Sequence, residues 1–274
     1  MKNLPVLASA LFVMMGVGSA SADLLSDVKA RGKLVCGVLG NFEPYGYMDQ
    51  ATHQLKGYEV DFCQELANHM GVPAEMKVVT TQGRIPELLQ GRVDVLAALI
   101  SYTPERAKQV LYSGLYLFTQ NQFMVLTETG FDAASDLLDK RIAVSKGSAL
   151  EKFLRENYIY ATVVSFDDKI ASYLALKTRK VDALLTGVDT LASLQNRDPE
   201  PDKTRIIEEP IYPFSCSFAI RPGEAGFLSA TNQFLEEAER SGLAQRVFDK
   251  WFGAETVYKM KRKFKVGEPP YGSK

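Results

Sequence analysis

The sequence contains few of the residues that build metal sites and disulfide scaffolds. Its 274 residues include 3 cysteines, 2 histidines and 1 tryptophan, far below the cysteine density of small disulfide-rich domains. Neither histidine has a cysteine or carboxylate neighbour at metal-ligand spacing, so we expect no metal and no other cofactor. The charge is also nearly balanced, with 32 basic and 33 acidic side chains, which argues against a nucleic-acid-binding protein.

Long hydrophobic runs are absent except at the N-terminus. There, Lys2 precedes an apolar stretch over 4–17, and Ala20, Ser21 and Ala22 are the small residues that a signal peptidase prefers. This stretch is short for a membrane span, although a retained N-terminal anchor is the alternative. We therefore predict an exported chain that is cleaved before Asp23.

Export would permit disulfides, but three cysteines leave at least one thiol unpaired. Cys36 lies in the apolar run 34–38, and Cys63 shares a helical face with Phe62 and Leu66. Both positions are typical of a buried core, so we expect free thiols that pack as small hydrophobic residues. A bridge between Cys36 and Cys63 is the alternative, and it requires that this strand and helix pack face to face.

Short apolar strands alternate with amphipathic helices along the rest of the chain. The first group of predicted elements comprises strands 34–39, 75–79 and 93–98 and helices 59–70 and 85–90. The second group comprises strands 141–145, 162–165 and 181–186 and helices 149–156 and 169–178. This order predicts two α/β units, joined by the strand-like segment 122–127.

The C-terminal part repeats neither unit. A predicted strand at 215–221 precedes apolar residues at helical spacing over 225–252, which Gly242 divides into two helices. A returning strand suggests that the chain crosses back to the first unit. We therefore predict that 23–119 and 219–274 form lobe 1 and that 120–218 form lobe 2. Two crossings give a hinge of two segments. Open α/β sheets bind ligands at the carboxyl ends of their strands, so we expect the site between the lobes.

Several short motifs occur in order: GVLGNFEPYG at 37–46, GYEVD at 57–61, RIPELLQGRVD at 84–94, SYTPER at 101–106, GS at 147–148, VDA at 181–183 and DKWFG at 249–253. As a set, they resemble the extracellular solute-binding proteins of family 3, the polar amino-acid receptors of ABC importers. The resemblance implies a type II periplasmic-binding-protein fold with two α/β lobes. It also implies a monomeric periplasmic transport component that closes on a small carboxylate-bearing solute, expected to be an amino acid, and delivers it to an ABC permease.

The SYTPER segment is typical of a short helix start, with Thr103 as N-cap and Pro104 in the first position. The Arg106 guanidinium can bind a carboxylate through two parallel hydrogen bonds, and the Ser101 hydroxyl can supply another donor. The resemblance implies that Arg106 holds the ligand α-carboxylate. From the residues alone, a surface arginine paired with an acid is the alternative.

The resemblance places four further residues in the site. Ser148 is expected to meet the same carboxylate from lobe 2, although a simple N-cap is the alternative. Phe42 and Tyr58 occupy positions where aromatic rings sandwich the ligand, although packing residues are the alternative. Arg84 is the candidate partner for a side-chain carboxylate, but Leu39 stands where the glutamate/aspartate receptors carry a second arginine.

One position departs from the family pattern. Gly187 stands at the end of the predicted strand 181–186, where amino-acid receptors usually carry an aspartate for the ligand ammonium group. An unpaired ammonium in a dry cleft is costly. Either Asp189 or Glu43 therefore takes over this role, or the ligand lacks an α-amino group.

The competing function is enzymatic. Cyclohexadienyl dehydratases resemble the same receptors and bind a carboxylate with the same arginine, but they need an acid in the cleft to expel water. Thr190 stands at the position of their catalytic glutamate. We therefore expect a receptor that is not an enzyme.

Overall fold

The computed structural model describes residues 23–273, so the predicted signal peptide lies outside the described residues. The helices are α1 (Leu24–Arg31), α2 (Tyr58–His69), α3 (Arg84–Leu89), α4 (Pro104–Ala107), α5 (Ala149–Asn157), α6 (Lys169–Lys177), α7 (Val188–Asn196), α8 (Ala225–Arg240) and α9 (Leu243–Phe252). The strands are β1 (Leu34–Val38), β2 (Asn41–Phe42), β3 (Gly46–Met48), β4 (Leu55–Lys56), β5 (Ala74–Val78), β6 (Val95–Leu96), β7 (Leu111–Leu126), β8 (Arg141–Ser145), β9 (Thr162–Phe166), β10 (Ala183–Gly187), β11 (Thr204–Ile206) and β12 (Tyr212–Ile220). The predicted α/β alternation is confirmed. The strand β7, however, begins 11 residues before the predicted segment 122–127, and α1, β2, β3, β4, α7 and β11 were not predicted from the sequence. Within the described range, none of the helices has the length and hydrophobicity that a membrane span requires.

One continuous sheet links the two lobes, in the order β5-β1-β6-β12-β7-β10-β8-β9. The lobe 1 strands β5, β1 and β6 are parallel to one another, as are the lobe 2 strands β9, β8 and β10. Between these two halves lie β7, which has 16 residues, and β12, and both run antiparallel to their neighbours. These two strands cross from one lobe to the other, so the structure has the two-segment hinge that the sequence predicts.

The hydrophobic core differs between the lobes. Lobe 1 has one cluster, which joins residues from Leu24 to Leu117 with residues from Cys216 to Val266. Lobe 2 has two clusters, one containing Phe123 and the other Met124. Since neighbouring strand residues point to opposite faces, lobe 2 has a core on each side of its sheet.

The lobe boundaries fall inside the hinge strands. Cys216 and Phe218 pack in the lobe 1 core, although the predicted boundary assigns them to lobe 2. A strand that passes from one lobe to the other has no break at which an alternating pattern could mark the boundary. The division into 23–119, 120–218 and 219–274 stays a prediction.

The expectation of free thiols at Cys36 and Cys63 is wrong. These residues form a disulfide between β1 and α2, with Cα atoms 6.4 Å apart, within the roughly 4.4–6.8 Å that bridged cysteines require. Both side chains are fully buried in the lobe 1 core, where strand and helix pack face to face. Cys216 is a free, buried cysteine.

Candidate functional site

A cavity lies between the lobes, at the hinge strands. The empty space that it encloses, its open mouth included, is about 560 Å³. Lobe 1 contributes Leu39, Phe42, Tyr45, Thr81, Arg84, Leu99 and Ser101; lobe 2 contributes Ser145, Ser148, Ala149, Leu150, Thr186, Gly187 and Thr190; the hinge strands contribute Thr119, Asn121 and Phe214. Ser145 ends β8 and Gly187 ends β10, so carboxyl ends of strands face the cavity, as expected.

Arg84 lines the cavity but is already bound to backbone carbonyls. Its side chain is buried, and its Nε donates to the Thr81 carbonyl at 2.8 Å. Its Nη1 donates to the carbonyls of Ala98 and Leu99, at 2.8 and 2.6 Å. Burial, with a smaller contribution from the Arg106 guanidinium, lowers the pKa of Arg84 to about 10, which leaves it charged at neutral pH. The hydrogen bonds described for this guanidinium use Nε and Nη1, so Nη2 can donate to a ligand.

A buried carboxyl group supports Arg84 through Leu99. Leu99 has a φ of 48°, a left-handed conformation that is uncommon for a residue with a side chain. Glu59 Oε1 accepts hydrogen bonds from the Leu99 amide and from the Tyr116 hydroxyl, both at 2.6 Å. Burial raises the pKa of Glu59 to about 7. Sequence reasoning gave Glu59 no role, because nothing local to it indicates its distant partners.

Arg106 lies at the edge of the cavity, beside Ser101. Its backbone amide donates to the Thr103 hydroxyl at 3.2 Å, which confirms the predicted N-cap. Arg106 Nη1 donates to the Ser101 carbonyl at 3.1 Å and to the Ser101 hydroxyl at 3.2 Å. Arg106 Nη2 donates to the Gly147 carbonyl at 3.1 Å. Since Gly147 belongs to lobe 2, one guanidinium spans the cleft.

Ser148 also lines the cavity, from the start of α5. Its hydroxyl oxygen accepts the backbone N–H of Glu151 at 3.1 Å, so it is an N-cap, the simpler of the two predicted roles. This bond uses the oxygen as an acceptor, and the hydroxyl proton remains available to an acceptor in the cavity.

The two predicted aromatic contacts lie in different places. Phe42 lines the cavity, and the Lys169 Nζ lies 5.4 Å from its ring centroid. Tyr58 is fully buried in the lobe 1 core, where its hydroxyl donates to the Tyr116 carbonyl at 2.6 Å. It begins α2 on the side that packs into the core, so the structure brings Phe42 but not Tyr58 to the cavity. Tyr45 lines the cavity instead.

Neither predicted acceptor of an ammonium group lines the cavity. Asp189 is 2% exposed, its Oδ1 accepts from the Thr119 hydroxyl at 3.1 Å, and burial raises its pKa to about 7. The Glu43 carboxylate pairs with Arg197 across the cleft. A Cβ atom at Gly187 would lie 3.0 Å from Asp189 Oδ1. Asp189 therefore lies behind Thr119 and Gly187, which both line the cavity.

Hydroxyl groups dominate the polar lining. Serine and threonine line it at Thr81, Ser101, Thr119, Ser145, Ser148, Thr186 and Thr190. Of the lining residues within 23–273, only Arg84 is charged, and none is acidic. Sequence reasoning missed Thr81, Thr119, Asn121, Ser145 and Thr186, because single polar residues carry no motif. Ser145 and Thr186 stand at the ends of predicted strands, where α/β sheets bind ligands, and this position is the signal that could have identified them.

Further contacts hold the cleft closed at its rim. Lys152 of lobe 2 pairs with Glu105 of lobe 1 at 2.6 Å. Lys169 Nζ donates to the Glu43 carbonyl at 2.8 Å, and burial lowers the pKa of Lys169 to about 8. Together with the bond from Arg106 to Gly147, these contacts define a closed arrangement of the lobes.

Comparison with known proteins relates this chain and its fold to one family. The family model of bacterial extracellular solute-binding proteins, family 3, matches residues 34–254. The L-cystine-binding protein TcyJ of Escherichia coli (strain K12) is 33% identical over 92% of this chain and 95% of that protein. Among solved structures, a mutant of ArgBP from T. maritima is 27% identical, with a TM-score of 0.77 over 84% of this chain and 99% of that chain. An ancestral arginine-binding protein bound to arginine is 29% identical, with a TM-score of 0.77 over 81% of this chain and 99% of that chain.

Proposed function

The chain belongs to the bacterial extracellular solute-binding proteins of family 3, and from this premise we propose that it captures an amino acid in the periplasm and delivers it to an ABC permease. The observation that carries the proposal is the closed cavity between the lobes, with polar groups from both lobes around it. A ligand that contacts both lobes binds the closed form better than the open form, so binding drives closure.

In this proposal, Arg106 binds the α-carboxylate of the ligand. The carboxylate replaces the Gly147 carbonyl as partner of Arg106 Nη2, and two parallel hydrogen bonds to an anion replace one hydrogen bond to a neutral carbonyl. The hydroxyls of Ser101 and Ser148 donate to the remaining lone pairs from opposite lobes. The N-terminus of α5, at Ser148, adds favourable electrostatic potential for the negative charge.

The proposed acceptor of the α-ammonium is Thr119, supported from behind by Asp189. Thr119 lines the cavity, and its hydroxyl donates its proton to Asp189 Oδ1, which leaves a lone pair on the hydroxyl oxygen for an ammonium N–H. Such a chain of hydrogen bonds is polarised by the carboxyl group at its end. Asp189 would thus act without contacting the ligand.

We further propose that the side chain of the ligand has no net charge. A cationic side chain would lose its hydration without gaining an ion pair, since none of the lining residues in the described range is acidic. A second carboxylate would find Arg84 largely occupied by carbonyls, and Leu39 rather than an arginine beside it. L-cystine, named for TcyJ, is the first candidate: its side chain ends in an ammonium and a carboxylate on one carbon atom, and these two charges cancel.

A thermal-shift panel tests the function and the ligand class together. The panel contains L-cystine, L-glutamine, L-glutamate and L-arginine, with glucose and Zn²⁺ as controls. A ligand at 100 times its dissociation constant stabilises the folded state by about 2.7 kcal/mol, which is a readily measured shift. We expect a shift from L-cystine or L-glutamine. A shift from glucose or Zn²⁺ alone contradicts the function, and one from L-arginine alone contradicts the ligand class.

We propose that the protein performs no chemistry on its ligand. Thr190, at the position expected for a dehydratase glutamate, lines the cavity, and a threonine hydroxyl cannot act as the general acid that expels water. Incubation with prephenate and with arogenate should give no product; turnover with either compound would establish the enzyme instead.

Export, processing and oligomeric state belong to the same proposal. We propose a periplasmic monomer whose signal peptide is cleaved before Asp23. Mass spectrometry of the exported chain gives its N-terminus directly, and its hydrodynamic size gives the oligomeric state. A retained N-terminal segment or a stable dimer would contradict these two points while leaving the binding function intact.

A further inference from the structure

The chain continues beyond α9 as a segment without helix or strand, 255–273, which we call the C-terminal strap. The strap lies outside residues 34–254, which match the family model. Its side chains alternate between two environments: Tyr258, Met260, Arg262, Phe264 and Val266 are half-buried or buried, whereas Val257, Lys259, Lys261, Lys263 and Lys265 are exposed. This period of two is that of an extended chain lying on a surface.

The strap is anchored to lobe 1. Arg262 pairs with Glu239 of α8, with Nη2 and Oε1 2.9 Å apart, and the Val266 amide donates to the same carboxylate at 2.9 Å. The Met260 amide donates to the carbonyl of Phe252, the last residue of α9, at 2.7 Å. The strap therefore moves with lobe 1.

The strap also lies across both hinge strands. On β7, Leu115 donates its amide to the Glu268 carbonyl at 2.7 Å and accepts from the Gly267 amide at 2.8 Å. On β12, the Ser215 hydroxyl accepts from the Tyr271 amide at 2.9 Å. The strap thus contacts the two segments about which the lobes must rotate.

The strap lies on the opposite side of the hinge from the cavity. Along β7, Thr119 and Asn121 line the cavity. Their neighbours Phe118 and Gln120 line a second crevice beside the strap, which Thr119 also borders between them. Since alternate residues of a strand point to opposite faces, the cavity is in front of the hinge and the crevice is behind it.

This rear crevice separates the strap from lobe 2. Its empty volume is about 810 Å³, mouth included. On the strap side, the apolar residues Met260 and Phe264 line it together with Lys261 and Lys263, and Val188 at the start of α7 lies on the lobe 2 side. In the closed arrangement, the crevice separates Val188 from Met260 and Phe264.

We propose that the strap stabilises the open conformation by closing this rear crevice. When two rigid lobes rotate about a hinge so that the front opens, the space behind the hinge narrows. Opening then brings Val188 towards Met260 and Phe264 and removes apolar surface from water. The inference rests on the proposed opening and closing of the cleft, and it assigns the strap a role in ligand release.

Small-angle X-ray scattering of the ligand-free full chain tests the proposal with Met260→Asp. This variant makes closure of the crevice unfavourable, because a carboxylate would have to be buried against Val188. We expect a wild-type radius of gyration above the roughly 19 Å of a compact chain of this length, and a shift of the variant towards that value. Val257→Asp is the matched control: Val257 is 65% exposed on the same segment and does not line the crevice, so its profile should match that of the wild type.

A second variant changes the lobe 2 side of the crevice. Val188→Ser reduces the apolar surface of lobe 2 and should shift the scattering in the same direction by a smaller amount, even where Met260→Asp fails to fold. A wild type that is already compact overturns the proposal, as does a folded Met260→Asp or Val188→Ser protein with the wild-type profile. No ligand is added, so failure of the proposed ligand class would leave this result unaffected.

Discussion

The two lobes differ in the kind of polar group that they bring to the cleft. Lobe 1 brings the guanidinium groups of Arg84 and Arg106, whereas lobe 2 brings neutral hydroxyls such as those of Ser145, Ser148 and Thr186. Lobe 1 also has a single core with a disulfide across it, whereas lobe 2 divides its core between the faces of its sheet. We expect lobe 1 to bind the charged end of the ligand first, and lobe 2 to close on it.

This difference has a physical reason. A buried cation loses its hydration, so it is stabilised only where fixed acceptors surround it. Arg84 has such acceptors in the carbonyls of Thr81, Ala98 and Leu99. A neutral hydroxyl has a smaller desolvation free energy than an ion, so it can be exposed and buried again more easily. Hydroxyls therefore suit the lobe that must release the ligand.

The largest expected effect is on ligand affinity when Arg106 is lost. Arg106→Ala should weaken binding by roughly 2–5 kcal/mol, because the carboxylate loses its charged partner. Arg106→Lys should restore only part of this, since an ammonium cannot form the two parallel bonds. Ser148→Ala, the matched change in lobe 2, should cost about 0.5–1.5 kcal/mol. Calorimetry measures the ligand affinity of the three variants. Equal losses of affinity in the two alanine variants would show that lobe 1 does not contribute more to binding than lobe 2.

The second prediction concerns the disulfide of lobe 1. Replacing Cys36 and Cys63 by alanine should lower the free energy of unfolding by about 2–4 kcal/mol, since the unfolded chain loses a constraint. Hydrogen exchange should show faster exchange in β1 and α2, with β8 and β10 of lobe 2 as the internal control. A uniform change across both lobes would show that they unfold as one unit.

Each lobe also buries a carboxyl group whose pKa is raised, and this gives a pH prediction. Burial raises the pKa of Glu59 in lobe 1 and of Asp189 in lobe 2 to about 7, against about 4 in an unfolded chain. Between pH 4 and 7, the unfolded state releases protons that the folded state keeps, so the free energy of unfolding falls as pH rises and levels off above pH 7.

Asp189→Asn should remove the share of this pH dependence that comes from lobe 2. The variant should be more stable than the wild type at pH 8, by on the order of 1–3 kcal/mol, and similar to it at pH 4. Urea unfolding at the two pH values measures the difference, and Glu59→Gln is the matched variant in lobe 1. An unchanged pH profile in Asp189→Asn would mean that this carboxyl group titrates normally.

The smallest expected effect is at the cleft rim. Glu105 and Lys152 pair across the cleft with side chains 54% and 47% exposed. Such exposed pairs contribute about 0–1 kcal/mol and weaken with salt. Glu105→Gln should therefore change ligand affinity by less than 1 kcal/mol, and the change should vanish at high salt. A larger, salt-independent loss would place this pair among the main contacts that hold the lobes together.

Local signals predicted the parts of the fold and site that depend on neighbouring residues. Thr103 and Pro104 predicted the helix start that positions Arg106, and Gly242 predicted the break between α8 and α9. Both succeeded because helix ends are decided within one turn of the chain. The resemblance to the family placed Tyr58 at the ligand, but nothing local to Tyr58 decides which side of α2 packs into the lobe 1 core.

The sequence by itself determined the order of strands and helices, the two-segment crossing and the family, because periodicity, capping and motif order are properties of contiguous residues. Only the tertiary structure decided that Cys36 meets Cys63, that Asp189 lies behind Thr119, and that the strap lies behind the hinge. These contacts join residues far apart in the chain, and their distances depend on how the two lobes pack. The sequence around each of the two residues is the same whether or not they are in contact, so it does not predict the contact.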